Sequence, residues 1–376
     1  RVLEAMMPYL TTEYGNAGTL YKFGRAANEA VQKARAQVAA LINAEPEQII
    51  FTSGGSEANN LVFQGLKDYL KSIDKTHILV SAVEHDSVLR AAESLIKDGF
   101  HVEYIPVSNE CRVSPAVIEN ALRADTGLVS VMFANNETGA INPIEDIGTI
   151  CMKRGILFHT DCVQAAGCYP IDVVKIGCDF LSVSSHKIHG CKGVGALYAK
   201  DKSKLAPIVY GGSEQEFGLR GGTENVAGIV GFGKACEISS KSLHEETVWV
   251  STLKQRFFMA LNEALKDTGD EGCVHVNGMS ILTPGKTINL RMDGVDGETL
   301  LLMLDGKGVC VSAGSACRSH EAEPSHVLSA MGLSKDEARA SIRISFSKKN
   351  TADEAVRAAQ ILAGCISTLR VREEKE

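Results

Sequence analysis

Four short segments of this sequence hold residues whose types and spacing suit group-transfer chemistry. In Phe180-Leu181-Ser182-Val183-Ser184-Ser185-His186-Lys187, an apolar run ends on a lysine set among hydroxyls, a histidine and, just beyond, glycines. An amine held against an apolar wall has a lowered pKa and is apt to bond a carbonyl carbon. Most lysines are simply solvated, so it is the neighbours that single out Lys187. Lys192, flanked by Gly190-Cys191 and Gly193, competes with it, but those glycines read as a mobile turn. Asp161 closes the apolar run 156–160. A carboxylate at the carboxyl end of a strand faces the crevice where open α/β sheets bind ligands, and it can hold a protonated ring nitrogen. Its plainer reading is a cap on the helix that follows. In Gly54-Gly55-Ser56 a strand gives way to a helix with Ser56 near its cap, and the free N–H groups and dipole there favour a phosphate. A glycine turn with a serine N-cap has the same residues. Finally, Ser312-Ala313-Gly314-Ser315-Ala316-Cys317-Arg318 reads as an accessible loop whose arginine favours a thiolate at Cys317, against the alternative of an inert loop thiol.

The elements that must position these residues follow from patterning. Short β-branched runs at 49–52, 77–83, 102–107, 128–134, 156–160, 180–184 and 194–198 alternate, for the most part, with amphipathic helical stretches. Strands alternating with helices predict an α/β fold with a mixed, mostly parallel sheet covered by helices. The last two runs are joined by a loop too short for a helical crossover, so that link is predicted antiparallel. Residues 224–270 read as long helix. The final third mixes strands at 286–291, 309–312 and 341–345 with helices, closing on one at 352–369, and residues 1–9 read as a helix already under way. A boundary near residue 243 divides a large domain, 1–243, from a smaller C-terminal α/β domain, 244–376.

Composition bounds the function. The chain has 376 residues, 44% hydrophobic and 23% charged, which is enough apolar material for large cores in two domains. A formal net charge of -7 disfavours nucleic acid and anionic membranes as partners. No apolar run has transmembrane length. The 11 cysteines sit singly, without the short paired spacings of a zinc or iron–sulfur site, so no metal is expected and most thiols read as reduced and cytoplasmic. The chain opens on Arg1 rather than methionine, and either a fragment or a disordered, omitted start is expected.

Taken together, these segments resemble the group I cysteine desulfurases of the class V aminotransferases, within the fold type I pyridoxal-phosphate enzymes. The motifs that carry the resemblance are Ser53-Gly54-Gly55-Ser56-Glu57, Glu84-His85, Asn135-Asn136-Glu137-Thr138-Gly139, Asp161-Cys162-Val163-Gln164, Ser184-Ser185-His186-Lys187, Arg220-Gly221-Gly222-Thr223-Glu224-Asn225 and Ser312-Ala313-Gly314-Ser315-Ala316-Cys317, in the family's order over nearly the whole chain. The resemblance implies pyridoxal 5'-phosphate bonded to Lys187, with Asp161 on its ring nitrogen, Gln164 on its ring hydroxyl and His85 stacked over the ring. It implies a phosphate cup of Gly55, Ser56, Ser184 and His186. Thr223 is implied to reach the phosphate of a neighbouring subunit in a homodimer. Asn136 and Arg343 are implied to hold the carboxylate of L-cysteine, and Cys317 to take its sulfur for an acceptor protein in iron–sulfur assembly or tRNA thiolation. His85 has a second reading, as a cap on the helix after Val83.

The sequence also departs from the family. No Asp-Asn-Ala-Ala-Thr-Thr-like opening is present, Ser56 stands for a commoner threonine, and Ser185 and Cys191 replace the usual glycine and proline near Lys187. Arg318 and His320 follow Cys317 where smaller residues are usual, and Phe217 stands where arginine is frequent. Rival readings are a selenocysteine lyase, which needs no enzyme thiol, a transaminase or sulfinate-cleaving relative, and a catalytically silent partner-binding protein.

Overall fold

The computed structural model describes residues 1–279, 284–313 and 324–373. The chain forms two compact units. Arg1–Ile105, Val113–Ala134 and Asn142–Leu243 make the first, and Pro106–Arg112, Asn135–Ile141 and His244–Glu376 the second. Two short segments within the first 243 residues therefore belong to the second unit, and Asn136 lies in one of them.

The first unit is built on strands β1 (Ile49–Thr52), β2 (His77–Ser81), β3 (His101–Ile105), β4 (Thr126–Ser130), β5 (Leu157–Asp161), β6 (Phe180–Ser184) and β7 (Gly195–Ala199), in the order β1-β7-β6-β5-β4-β2-β3. Neighbours from β6 through β3 pair parallel, while β7 runs antiparallel to both β6 and β1. The mostly parallel sheet and the antiparallel link after β6 both agree with the sequence reading. Strands β1, β2, β4, β6 and β7 are buried at every position, which explains why they read as continuous apolar runs rather than alternating ones. Helices α1 (Val2–Thr11), α2 (Lys22–Leu41), α3 (Gly55–Ser72), α4 (Asp86–Ser94), α5 (Pro115–Ala121), α6 (Ile144–Arg154) and α7 (Val173–Ile176) connect or flank these strands. Phe63, Leu66, Ile78, Val80, Leu128 and Phe180 form the centre of one core cluster.

Helix α8 (Val226–Thr268) runs 43 residues, and the division between units, at Leu243, falls inside it. The second unit carries the antiparallel sheet β10-β11-β9-β8, from β8 (Val274–Val276), β9 (Thr287–Met292), β10 (Ser312–Ala313) and β11 (Ser341–Ser345). Helices α9 (Gly297–Asp305), α10 (His326–Ala330), α11 (Lys335–Arg339) and α12 (Ala352–Glu373) complete it. Its core gathers Leu253, Phe257, Leu290, Leu300, Ile342 and Leu362.

Several expected boundaries move. The run 128–134 is strand only to Ser130, although Val131 N and Phe133 N still donate to His159 O and Asp161 O, 3.1 and 3.0 Å away, so the buried apolar stretch outlasts the regular ladder. Pairing in the run 309–312 begins only where Ser312 meets Arg343, so that strand shifts to Ser312–Ala313. Strand β8 was not expected, because three residues carry too little pattern. Among the described residues no helix is long and apolar enough to cross a membrane.

Candidate active site

Because β1, β2, β4, β5 and β6 point the same way, their carboxyl ends meet at one edge of the sheet, where open α/β folds bind ligands. Asp161, the last residue of β5, is buried there. Its Oδ2 accepts from Asn59 Nδ2 at 2.8 Å and its Oδ1 from Val163 N at 2.9 Å. It therefore ties down the turn that carries Gln164, and no helix starts directly after it. Burial pushes the Asp161 carboxyl above its usual value, opposed by the Asn59 and Val163 hydrogen bonds and by the charges of His85 and Lys187.

Lys187 lies three residues past β6 in a tight turn, Ser185–Ile188, and is half-buried, with its charge acting on Asp161. Lys192 is exposed on the following loop. Beside Lys187, Ser184 Oγ and His186 Nδ1 lie 2.9 Å apart. Ser184 is buried and His186 exposed, so the pair presents a hydroxyl and a ring at the rim.

Helix α3 opens close by. Its N-cap is Gly54, not Ser56, which sits exposed within the first turn. The first helical bond runs from Ala58 N to Gly54 O at 3.1 Å, so the N–H groups of Gly55, Ser56 and Glu57 precede the regular ladder. A Cβ on Gly55 would fall 2.6 Å from Val163 Cγ2 and 3.8 Å from Ser184 Cβ, so only glycine lets the helix start fit between the Asp161 turn and the Lys187 turn. Glu57 braces this start. Its Oε2 accepts from Ser53 N at 2.9 Å and its Oε1 from Arg220 Nε at 3.0 Å. Burial raises the Glu57 carboxyl, but the Ser53 and Arg220 hydrogen bonds outweigh it and leave the group below its ordinary value. The arginine holds the Arg220-Gly221-Gly222-Thr223 segment, on which Thr223 is exposed.

His85 follows β2. As one of its two readings foresaw, it caps α4, with Nδ1 accepting from Ser87 N at 3.1 Å and lying 2.8 Å from Ser87 Oγ. Since Nδ1 is an acceptor, the neutral ring carries its proton on Nε2. Asn59 Nδ2 also donates to Ser87 Oγ at 2.9 Å, so Asn59 connects Asp161 to the residue that orients His85. The sequence reading named neither Asn59 nor Ser87. The available signal was the position of Asn59, four residues after Gly55 and so on the same face of α3.

This set fits pyridoxal phosphate. A buried, hydrogen-bonded carboxylate suits a protonated ring nitrogen, a half-buried amine suits the cofactor's carbonyl carbon, and a helix start that admits only glycine suits a phosphate. In the second unit, Arg343 on β11 is half-buried rather than a surface charge. It donates to Asn136 O and Ser312 Oγ, both at 3.2 Å, while the buried Asn136 Oδ1 has no hydrogen-bond partner. Cys317, Arg318 and His320 lie outside the described residues.

Comparison with known proteins gives the family of the chain. The aminotransferase class-V family model matches residues 1–357. A cysteine desulfurase IscS of Clostridium botulinum is 43% identical over 372 residues, covering 98% of this chain and 91% of the relative. A putative cysteine desulfurase IscS 1 of Bacillus subtilis is 44% identical over 370 residues, covering 98% and 96%. Among solved structures, a NifS-like protein superposes with a TM-score of 0.87 at 34% identity, covering 98% of this chain and 96% of that one. SspA in complex with cysteine gives 0.77 at 34% identity, covering 93% and 96%. The chain belongs to the aminotransferase class-V family and, within it, to the cysteine desulfurases.

Proposed function

We propose that this protein is a cysteine desulfurase that holds pyridoxal 5'-phosphate in its first unit and moves the sulfur of L-cysteine to Cys317, releasing L-alanine. The observation that carries this reading is that half-buried Lys187 and the buried, hydrogen-bonded Asp161 follow neighbouring strands at one sheet edge. Asp161 would hold the ring nitrogen, Gln164 the ring hydroxyl and Lys187 the cofactor's carbonyl carbon. The amide groups opening α3, with Gly55, Ser56, Ser184 and His186, would take the phosphate. When bound, the cofactor supplies an electron-poor ring that stabilises negative charge at the substrate's α-carbon.

Lys187 Nζ then serves as the base that takes the α-proton. Arg343 and Asn136 orient the substrate through its carboxylate, a role suited to a half-buried guanidinium whose described hydrogen bonds go only to neutral oxygens. The Cys317 thiolate attacks the substrate sulfur. The S–S bond forms as the C–S bond breaks, and the bonding pair passes to the β-carbon, which is protonated to give alanine. His85 Nε2 exchanges a proton on the thiol side. The persulfide goes to an acceptor protein, an iron–sulfur scaffold or a tRNA-thiolation relay.

Thr223 serves the neighbouring subunit of a homodimer. In support, Leu20, Tyr21 and Tyr210 are 89%, 60% and 84% exposed and open to a partner surface. A cytoplasmic location is supported by the absence of any disulfide among the described cysteines.

The test is parallel measurement of alanine and sulfide from L-cysteine with a reductant, for the parent and Cys317→Ser. Matched release from the parent and none from the variant is expected. Undiminished release from Cys317→Ser, or a keto acid in place of alanine, would overturn the reading.

A further inference from the structure

A second constellation lies at the opposite end of the first unit's sheet, at the amino ends of β2 and β3. His77 opens β2 and His101 opens β3, and the two are register partners in a parallel pair. Glu103 is two residues beyond His101, so strand alternation places all three side chains on one face. The imidazole centroids are 5.2 Å apart. One ligand atom from each of the three residues lies within 4.8 Å of the others.

The state of His77 points to a ligand. The residue is fully buried, and its Nδ1 is 2.8 Å from Thr126 Oγ1, which fixes the ring. Its Nε2 has no hydrogen-bond partner, yet Glu103 Oε2 lies 3.4 Å away. Two ligands at bond lengths of about 2.1 Å in a tetrahedral zinc site are themselves separated by about 3.4 Å. The His77–Glu103 edge already has that length. His101 is exposed, and a turn of its ring, with release of the Arg123 contact, would close the remaining gap.

The position already attracts a cation. Arg123 Nη2 donates to Glu103 Oε2 at 2.6 Å, and Nη1 is 3.4 Å from His101 Nδ1. That side chain is 46% exposed, so it can swing into solvent at little cost. Two imidazoles and one carboxylate, with the buried ring fixed through its other nitrogen, form a donor set for zinc and similar divalent transition ions.

We propose that His77, His101 and Glu103 bind a divalent transition-metal ion of the zinc type, in exchange with the Arg123 guanidinium. The ion ties edge strand β3 to β2 and leaves one coordination position for water. It lies away from the carboxyl-end edge that carries Asp161 and Lys187, so its effect falls on the cohesion of the sheet and not on the sulfur chemistry.

The test uses the cofactor-loaded protein with accessible thiols alkylated, so that cysteines do not compete, and zinc ion alone as the probe. Equilibrium dialysis should find one ion per chain, and thermal unfolding should shift upward with zinc. His101→Ala and Glu103→Gln, both at solvent-accessible positions, should each weaken binding at least about tenfold and abolish the shift while leaving the cofactor absorbance unchanged. Arg123→Gln, which removes the competing cation, should bind zinc more tightly than the parent. A purely structural ion-pair cluster predicts the reverse, with no thiol-independent zinc uptake and no gain from Arg123→Gln. Either of those results, or binding unaltered in His101→Ala, would sink the proposal.

Discussion

At the scale of single residues, the candidate site combines groups that mark strand ends in the sequence with a supporting residue that shows itself only in three dimensions. Lys187, Asp161 and the Gly54-Gly55 pair were legible because each sits where a strand ends, and a strand end is a sequence feature. Asn59 was not, because the Asp161 it supports lies 102 residues away in sequence. Its effect is specific. Burial raises the Asp161 carboxyl, and among the groups that oppose this rise the Asn59 hydrogen bond does the most. Replacing Asn59 by alanine removes that bond, so the pKa rises further and the carboxylate is lost at a higher pH. Asn59→Ala should therefore move the acidic limb of the kcat/KM profile for L-cysteine upward, with the alkaline limb left in place. The same variant releases Ser87 and loosens His85 without removing it, so kcat at the optimum should fall on the order of tenfold, less than the roughly hundredfold or more that outright loss of a proton-transfer group costs. A profile that only scales down, without moving its acidic limb, would show that Asn59 acts through His85 alone.

At the scale of elements, the mostly parallel sheet was readable because buried parallel strands are continuous apolar runs, and the antiparallel link after β6 because its loop is too short for a helical crossover. The segment ahead of Thr223 was unreadable, because its conformation opposes local preference. Glu216 and Phe217 take left-handed backbone angles, φ 42° and 60°, which side-chain-bearing residues rarely adopt. They are held there by Glu216, whose Oε1 and Oε2 accept from Arg35 Nη2 and Nη1 at 2.7 and 2.8 Å, and whose Oε2 also accepts from Phe51 N at 2.6 Å. Arg35 also donates to Ile49 O at 2.6 Å and lies 4.7 Å from the Phe51 ring centroid. One buried ion pair thus fastens β1, α2 and the segment leading to Arg220. Both side chains are only 5% exposed, so removing one charge strands the other in a poor solvent. Glu216→Gln should cost about 3 kcal/mol of stability in the first unit, read as a lowered melting temperature. It should also reduce cofactor retention in the proposed homodimer, because the strained segment presents Thr223. Unchanged melting would mean that the neighbouring contacts, and not the charge pair, hold the segment.

For the molecule as a whole, the net charge of -7 describes the surface, whereas the pH range of stability is set by buried groups that composition cannot locate. Two of them act in opposite senses. Glu84 is fully buried, with Oε1 accepting from Met132 N at 2.6 Å, and burial drives its carboxyl well above the usual 4.5, helped by the charge of Asp161. With a folded pKa above the unfolded one, its stabilising contribution is complete below about pH 4.5 and is lost as pH rises toward the folded value, at about 1.4 kcal/mol per unit. His159, on β5 between Ser130 Oγ and Ser182 Oγ at 2.8 and 3.2 Å, is pushed by burial down to about 3. Its contribution is complete above about pH 6.5 and is lost as pH falls toward 3. The amide in Glu84→Gln keeps an acceptor for Met132 N and cannot ionise. Its melting temperature should match the parent near pH 4 and exceed it near pH 8. His159→Gln should show the opposite slope, gaining relative to the parent only as pH is lowered, whatever fixed packing cost it carries. Because the comparison is between slopes, packing losses common to all pH values cancel. If Glu84→Gln tracked the parent at both ends of the range, the glutamate would be ionised in the folded protein, and some buried cation would have to be balancing it.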